Sequence, residues 1–147
     1  MGEIIYKEES FKIIGACFEV YNHKGFGFTE PIYQECLQYE FSLQGIPFVA
    51  QPEIPLIYKY APLNHHFQPD FVCYRKIVLE INAVGGLTDS HRAQTLNYLH
   101  AMNFELGLLV NFGQFPKLID ERLANNKRNL AARTVYEVMA SRTDISE

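Results

Sequence analysis

An α/β domain with a mixed sheet is the fold class this sequence predicts, and three observations predict it. Apolar residues recur at helical spacing through the first forty-five positions, switch to alternation from Ile54, and return to helical spacing before a last short apolar run. Breaks fall where the period changes, at Lys24-Gly25-Phe26-Gly27, Gly45, Ala61-Pro62-Leu63-Asn64, Gly85-Gly86 and Gly113. The 147 residues are 48% apolar and include 11 Phe and 9 Tyr, enough for one packed core and too apolar for wholesale disorder.

Taken in order, Ile13, Ile14, Cys17, Phe18 and Tyr21 predict an amphipathic helix over about 8–22. Thr29 is placed to cap a second helix, with Pro31 in a first turn that has no need of its N–H. Ile32, Tyr33, Cys36, Leu37, Glu40 and Phe41 continue that helix, and Gly45 is placed to end it. Alternation from Ile54 to Tyr60 reads as a strand, and Ala61 to Asn64 as a turn or loop. Strands over about 67–74 and 77–82 meet in a turn around Arg75. Thr88, Asp89 or Ser90 caps a third helix reaching Met102, and Phe104 to Asn111 is a short apolar strand. Glu121 to Ala140 has helical composition, which predicts a helix appended to the core. The expected organisation is a domain over 1–119 with a C-terminal helical extension over 120–147 packed on it.

Several classes drop out. Acidic residues exceed basic ones by 17 to 13, which disfavours non-specific wrapping of long nucleic acid, because such binding depends on phosphate neutralisation. A local contact with a short stretch stays open. Apolar runs fall far short of the ~20 residues that span a bilayer, so no membrane partner is expected. Met1 to Lys12 carries Glu3, Glu8 and Glu9 with no apolar region of secretory type. Cys17, Cys36 and Cys73 are odd in number and widely spaced, as reduced core thiols of a cytoplasmic protein would be, and they form no CxxC pair of the kind that holds structural zinc.

The hairpin turning at Arg75 carries the chemistry. If it turns there, positions summing to 150 oppose one another, and Asp70 lies across from Glu80. Opposed residues share a face with Cβ atoms about 4.5–5.5 Å apart. Two carboxylates so close repel unless a positive group sits between them, and a hard divalent cation is the natural one. Glu80 also interrupts an apolar strand, Ile77-Val78-Leu79-Glu80-Ile81-Asn82, where an unpaired charge is costly. The alternative is a solvated hairpin end whose acids pair with Arg75 or Lys76.

Residues 25–37, Gly25-Phe26-Gly27-Phe28-Thr29-Glu30-Pro31-Ile32-Tyr33-Gln34-Glu35-Cys36-Leu37, resemble the signature of the GxxExxY proteins, with Gly27, Glu30 and Tyr33 as its spaced elements. Further matches are Gln51, Ile54-Pro55-Leu56, Tyr58-Lys59, Phe67-Gln68-Pro69-Asp70-Phe71-Val72, Leu79 to Val84, Ala93 to Leu99 and Gly107 to Gly113. The resemblance covers about residues 8 to 113. That family in turn resembles the PD-(D/E)XK nuclease superfamily. The implied fold is a restriction-endonuclease-like core: a mixed four- to five-stranded sheet flanked by helices, in the order α-α-β-β-β-α-β plus a C-terminal helix.

What the resemblance implies is a metal-dependent phosphodiesterase acting on DNA or RNA. Pro69-Asp70 corresponds to the PD, and Glu80-Ile81-Asn82 occupies the (D/E)XK position. Asp70 and Glu80 would hold Mg²⁺ or Mn²⁺, with the Ile81 carbonyl as a further ligand. Gln94 and Tyr98 fit a QxxxY motif, and Glu30 matches an additional acid of such sites. The departure is Asn82, which stands where the superfamily carries lysine. An amide can hydrogen-bond a water but brings no positive charge. Lys59 is the candidate to replace it, and a site that binds without cutting is the alternative.

Other features have plainer readings. His91 is either a cleft residue or a solvent-facing first-turn histidine, and His23, His65 and His66 read as structural or surface residues. Arg122, Lys127, Arg128 and Arg133 are either a phosphate-binding cluster or a solvated helix face. Tyr58, Tyr60 and Phe67 are either stacking platforms or core aromatics. Leu130, Val135, Val138 and Met139 permit packing against a second copy, so a homodimer is allowed without being demanded.

Overall fold

A computed structural model describes residues 4–125. Two helices open the chain, α1 (Lys7–Lys24) and α2 (Glu30–Gln44). Ile13, Ala16, Cys17 and Val20 of α1 are buried at helical spacing, and Tyr33, Leu37 and Phe41 of α2 face them. Thr29 stands at the α2 N-cap with Pro31 in the first turn, and Gly45 ends the helix in the left-handed region at φ 71°.

Strands follow: β1 (Phe48–Ala50), β2 (Ile54–Tyr58), β3 (Ala61–Phe67), β4 (Phe71–Cys73) and β5 (Ile77–Asn82). Then come α3 (Asp89–Met102), β6 (Leu106–Asn111) and β7 (Ile119–Ala124). Five strands make the main sheet in the order β1-β4-β5-β6-β7, antiparallel except for β5 with β6. The parallel pair requires a crossover, and α3 supplies it. β2 and β3 form a separate two-stranded hairpin.

Alternation along the central strands divides the interior in two. Phe71, Cys73, Ile77, Leu79 and Ile81 pack with α1 and α2, while Val72 and Val78 pack with Leu99 and Met102 of α3. Val78, Glu80 and Asn82 therefore point to the α3 side. The β4–β5 ladder pairs Phe71 with Leu79, Val72 with Val78 and Cys73 with Ile77, the register that the sequence predicts.

Three expectations are corrected. The segment from Ile54 was expected in the core sheet, yet β2 pairs only with β3, and the third antiparallel core strand is β1. Three residues are too few to display a period. Ala61 to Asn64 was expected as a turn or loop but begins β3, whose exposed residues show no buried face and whose order comes from pairing with β2. Glu121 was expected to begin a helix, whereas Ile119–Ala124 is a strand that carries the sheet past residue 119. Glu, Arg, Leu and Ala favour helix, but alternation of half-buried and exposed positions lets the segment close the β6 edge, and tertiary pairing overrides propensity. The rest of the expected C-terminal helix lies outside the described residues.

Candidate active site

Asp70 and Glu80 meet beyond the last ladder pair of β4 and β5. The Asp70 N–H donates to Glu80 Oε2 at 2.6 Å, and the Ile81 N–H donates to Asp70 Oδ2 at 2.8 Å. Each carboxylate thus has one oxygen fixed by the main chain, so neither side chain is free to swing away from the other. Glu80 is 7% exposed. Burial, and then the facing charge of Asp70, push the Glu80 carboxyl well above the usual range. Burial first and the charge of Glu30 also push Asp70 upward, against the Ile81 hydrogen bond that lowers it. Opposed main-chain amides cannot satisfy both charges, and the pair is left favouring protons.

Glu30 is presented by a loop whose geometry explains the Gly27, Glu30 and Tyr33 spacing. Gly27 adopts φ 110°, a conformation that side chains oppose. Tyr33 is fully buried and stacked on Phe112 at 4.5 Å between ring centroids. Its hydroxyl donates to the Gly25 carbonyl at 2.6 Å and accepts from the Phe28 N–H at 3.3 Å. The loop is pinned at both ends, and α2 starts with Glu30 exposed at its first turn. Partial burial raises the Glu30 carboxyl, and its charge reaches both acids of the pair. One turn on, buried Gln34 donates to the Asp70 carbonyl at 3.2 Å. Sequence reasoning missed Gln34, although its place four residues after Glu30 puts both on one helix face.

From the other side α3 contributes Gln94 and Tyr98. Gln94 Nε2 donates to the Tyr98 hydroxyl at 3.0 Å. Burial and then the charges of Glu80 and Asp70 raise the Tyr98 phenol, which places that ring in the field of the acid pair. The Tyr98 ring stacks on Phe67, 4.7 Å between centroids at 24°. Asn82 is half-buried at the end of β5, on the same face as Glu80. Beyond it a second missed residue, fully buried Asn111, organises the loops. Its Oδ1 accepts from the N–H groups of Val84 and Gly113, and its Nδ2 donates to the Val84 carbonyl and to Gln114 Oε1. Burial of such an amide with all its partners is the signal that only structure supplies.

Other candidates separate from this cluster. Lys59 lies in the turn between β2 and β3 rather than on a strand, exposed at φ 57°, with its ammonium 5.5 Å from the Tyr58 ring centroid. His91 accepts from the Thr88 N–H through Nδ1 at 2.9 Å and completes a capping box, which gives it a structural role. Arg122 donates to Ser10 Oγ and the Ile5 carbonyl, tying β7 to the start of the chain. Lys127, Arg128 and Arg133 lie outside the described residues, as do Leu130, Val135, Val138 and Met139.

The donor set fits one class of metal. Among the described residues no three His, Cys, Asp or Glu side chains are grouped to hold an ion, which excludes a zinc-type cage there. Two adjacent carboxylates, each with an oxygen not claimed by a main-chain N–H, fit magnesium, which takes one or two carboxylates and keeps most of its waters.

Comparison with known proteins agrees with this geometry at the level of the family. A search of curated proteins finds no match to the chain, and a search of solved structures finds none either. A family model described as the PD-(D/E)XK nuclease superfamily matches residues 7–123, which span every helix and strand described above except the last residue of β7. With Pro69-Asp70 ending one arm of the hairpin, Glu80 opposite and helices on both faces of a mixed sheet, the chain belongs to the PD-(D/E)XK nuclease superfamily.

Proposed function

We propose that this protein is a metal-dependent phosphodiesterase of nuclease type that acts on DNA or RNA. The observation that carries the reading is the Asp70–Glu80 pair: a half-buried and a buried carboxylate held side by side by main-chain N–H groups, both pushed toward protonation. Asp70, Glu80 and the Ile81 carbonyl would hold Mg²⁺ or Mn²⁺. When bound, such an ion supplies a water of lowered pKa and positive charge beside the scissile phosphate.

The chain's own residues do the rest. The Asp70 and Ile81 N–H groups fix one oxygen of each acid and leave the other without a main-chain donor. Glu30 sits on the rim, where it can hold an incoming water. Gln94 fixes the Tyr98 hydroxyl, and together they wall the α3 side. Asn82 can orient a water through its amide but cannot give it a proton or a positive charge at neutral pH. Lys59 would have to reach in from the hairpin turn to replace the missing cation.

Asn82 favours a second reading, a module that binds nucleic acid or protein and no longer cuts. Cleavage of labelled single- and double-stranded DNA and RNA in Mg²⁺ or Mn²⁺ decides between them. Expected is cutting by wild type that Asp70→Ala abolishes and Asn82→Lys raises at least tenfold. Wild type without activity on any substrate, unchanged by Asn82→Lys, would overturn the enzymatic reading in favour of the module.

A further inference from the structure

The hairpin of β2 and β3 stands outside the main sheet, and its composition differs from the rest of the chain. Residues 54–67 include Lys59, His65 and His66 and contain no Asp or Glu, in a chain with a net charge of −4. Every residue of β3 before Phe67 is exposed. Tyr60 at the turn is 100% exposed and Tyr58 is 63% exposed. Large aromatics held in water on an ordered element ask for a partner.

The placement of these side chains is directional. Ile54 pairs with Phe67 and Tyr58 with Ala61, so alternation along β2 sets Tyr58 on the face of Phe67, while β3 carries extra residues between Pro62 and His66 that bulge the ladder. The base of that face is Phe67 stacked on Tyr98, the ring that feels the charges of Glu80 and Asp70. Asp70 follows Phe67 by three residues. A strip therefore leads from the carboxylates over Tyr98 and Phe67, along this face of the hairpin, to Tyr58 with the Lys59 ammonium over its ring.

We infer that this strip is a docking track for a single polynucleotide strand, which it delivers to the acid pair. The inference rests on the nuclease reading and names its substrate class. Aromatic faces stack only on bases that are out of a duplex, and each such contact contributes enough to matter. The Lys59 ammonium matches a phosphate, and the absence of carboxylates along residues 54–67 keeps the track from repelling the backbone. A duplex keeps its base faces covered and gains nothing from Tyr58.

The test is fluorescence anisotropy of labelled oligothymidylate, oligouridylate and a mixed-sequence DNA duplex. Each is titrated with the full chain in Ca²⁺, which allows binding while suppressing cutting, and cleavage is assayed in parallel in Mn²⁺. Tyr58→Ala and Lys59→Ala alter exposed positions and leave the core intact. Each is expected to weaken binding of the single strands about fivefold or more, with Tyr58→Ala leaving the duplex unchanged, and the DNA and RNA probes tell which sugar the track prefers. Single-strand binding that both variants retain at wild-type strength overturns the track, even if Asp70-dependent cleavage shows the nuclease reading to stand. Hairpin-dependent binding without cleavage supports the track and removes the nuclease reading. No binding of any probe by wild type overturns the track, as does a dimer in light scattering that Tyr58→Ala dissociates, which would assign the strip to a second copy.

Discussion

At the scale of single residues, the acid pair is where chemistry and stability conflict. Folding raises the proton affinity of both Asp70 and Glu80, the reverse of the usual salt-bridged acid. Above the unfolded carboxylate range of about pH 4 the folded form holds more protons than the unfolded one, so stability falls as pH rises through the folded values. Glu80→Gln removes one charge and keeps an oxygen to accept the Asp70 N–H. The expected outcome, read from thermal melts in chelator, is a variant equal to wild type near pH 4 and increasingly more stable than it toward pH 8. A variant less stable than wild type at pH 8 would mean that the pair is already compensated.

At the scale of elements, the C-terminal ends of β5 and β6 are joined by close approach. A Cβ on Gly113 would stand 2.3 Å from the Val84 carbonyl oxygen and 2.4 Å from its nitrogen, with backbone on the receiving side that cannot turn aside. Gly107 differs, because a Cβ there meets Thr95 Cγ2 at 2.9 Å and the ends of the Leu99 side chain, which can shift. Gly113→Ala is expected to lower stability by about 3 kcal/mol, read from urea unfolding, with a smaller loss for Gly107→Ala. Equal losses would show that the two loops can part. The sequence marks Gly113 as a break but does not show what presses against it. Helix boundaries are legible because caps and periodicity are local, as at Thr29, Gly45 and Met102. β1 and β7 escape because their order comes from partners across intervening chain, and β3 because its exposed residues show no buried face to read.

At the scale of the molecule, the site lies where the β4–β5 hairpin, the first turn of α2 and one face of α3 converge. The Asp70–Glu80 opposition is readable from sequence because a tight hairpin fixes its own register. Gln34 and Asn111 are not readable, because each acts through main-chain atoms of another element. Because three elements meet at the acids, a cation bound there stabilises the whole fold. At 100-fold excess of Mg²⁺ or Mn²⁺ over its dissociation constant, the gain is about 2.7 kcal/mol. The melting temperature should rise with metal in wild type and stay still in Glu80→Gln. Because protons compete for the same oxygens, the rise should shrink toward pH 5. A rise of equal size in the variant would place the ion elsewhere.

The discomfort of the acid pair also bears on its history. A single base change converts Glu to Gln or Asp to Asn, and either amide would relieve the repulsion while keeping the hydrogen bonds to the main chain. Drift without selection runs downhill toward such relief, since a site that does nothing gains only by becoming neutral. Asn82 is an amide two residues after Glu80, where the superfamily's motif has lysine. A chain that keeps both carboxylates beside that amide, at a standing cost in stability, is what a site whose negative charge is in use requires.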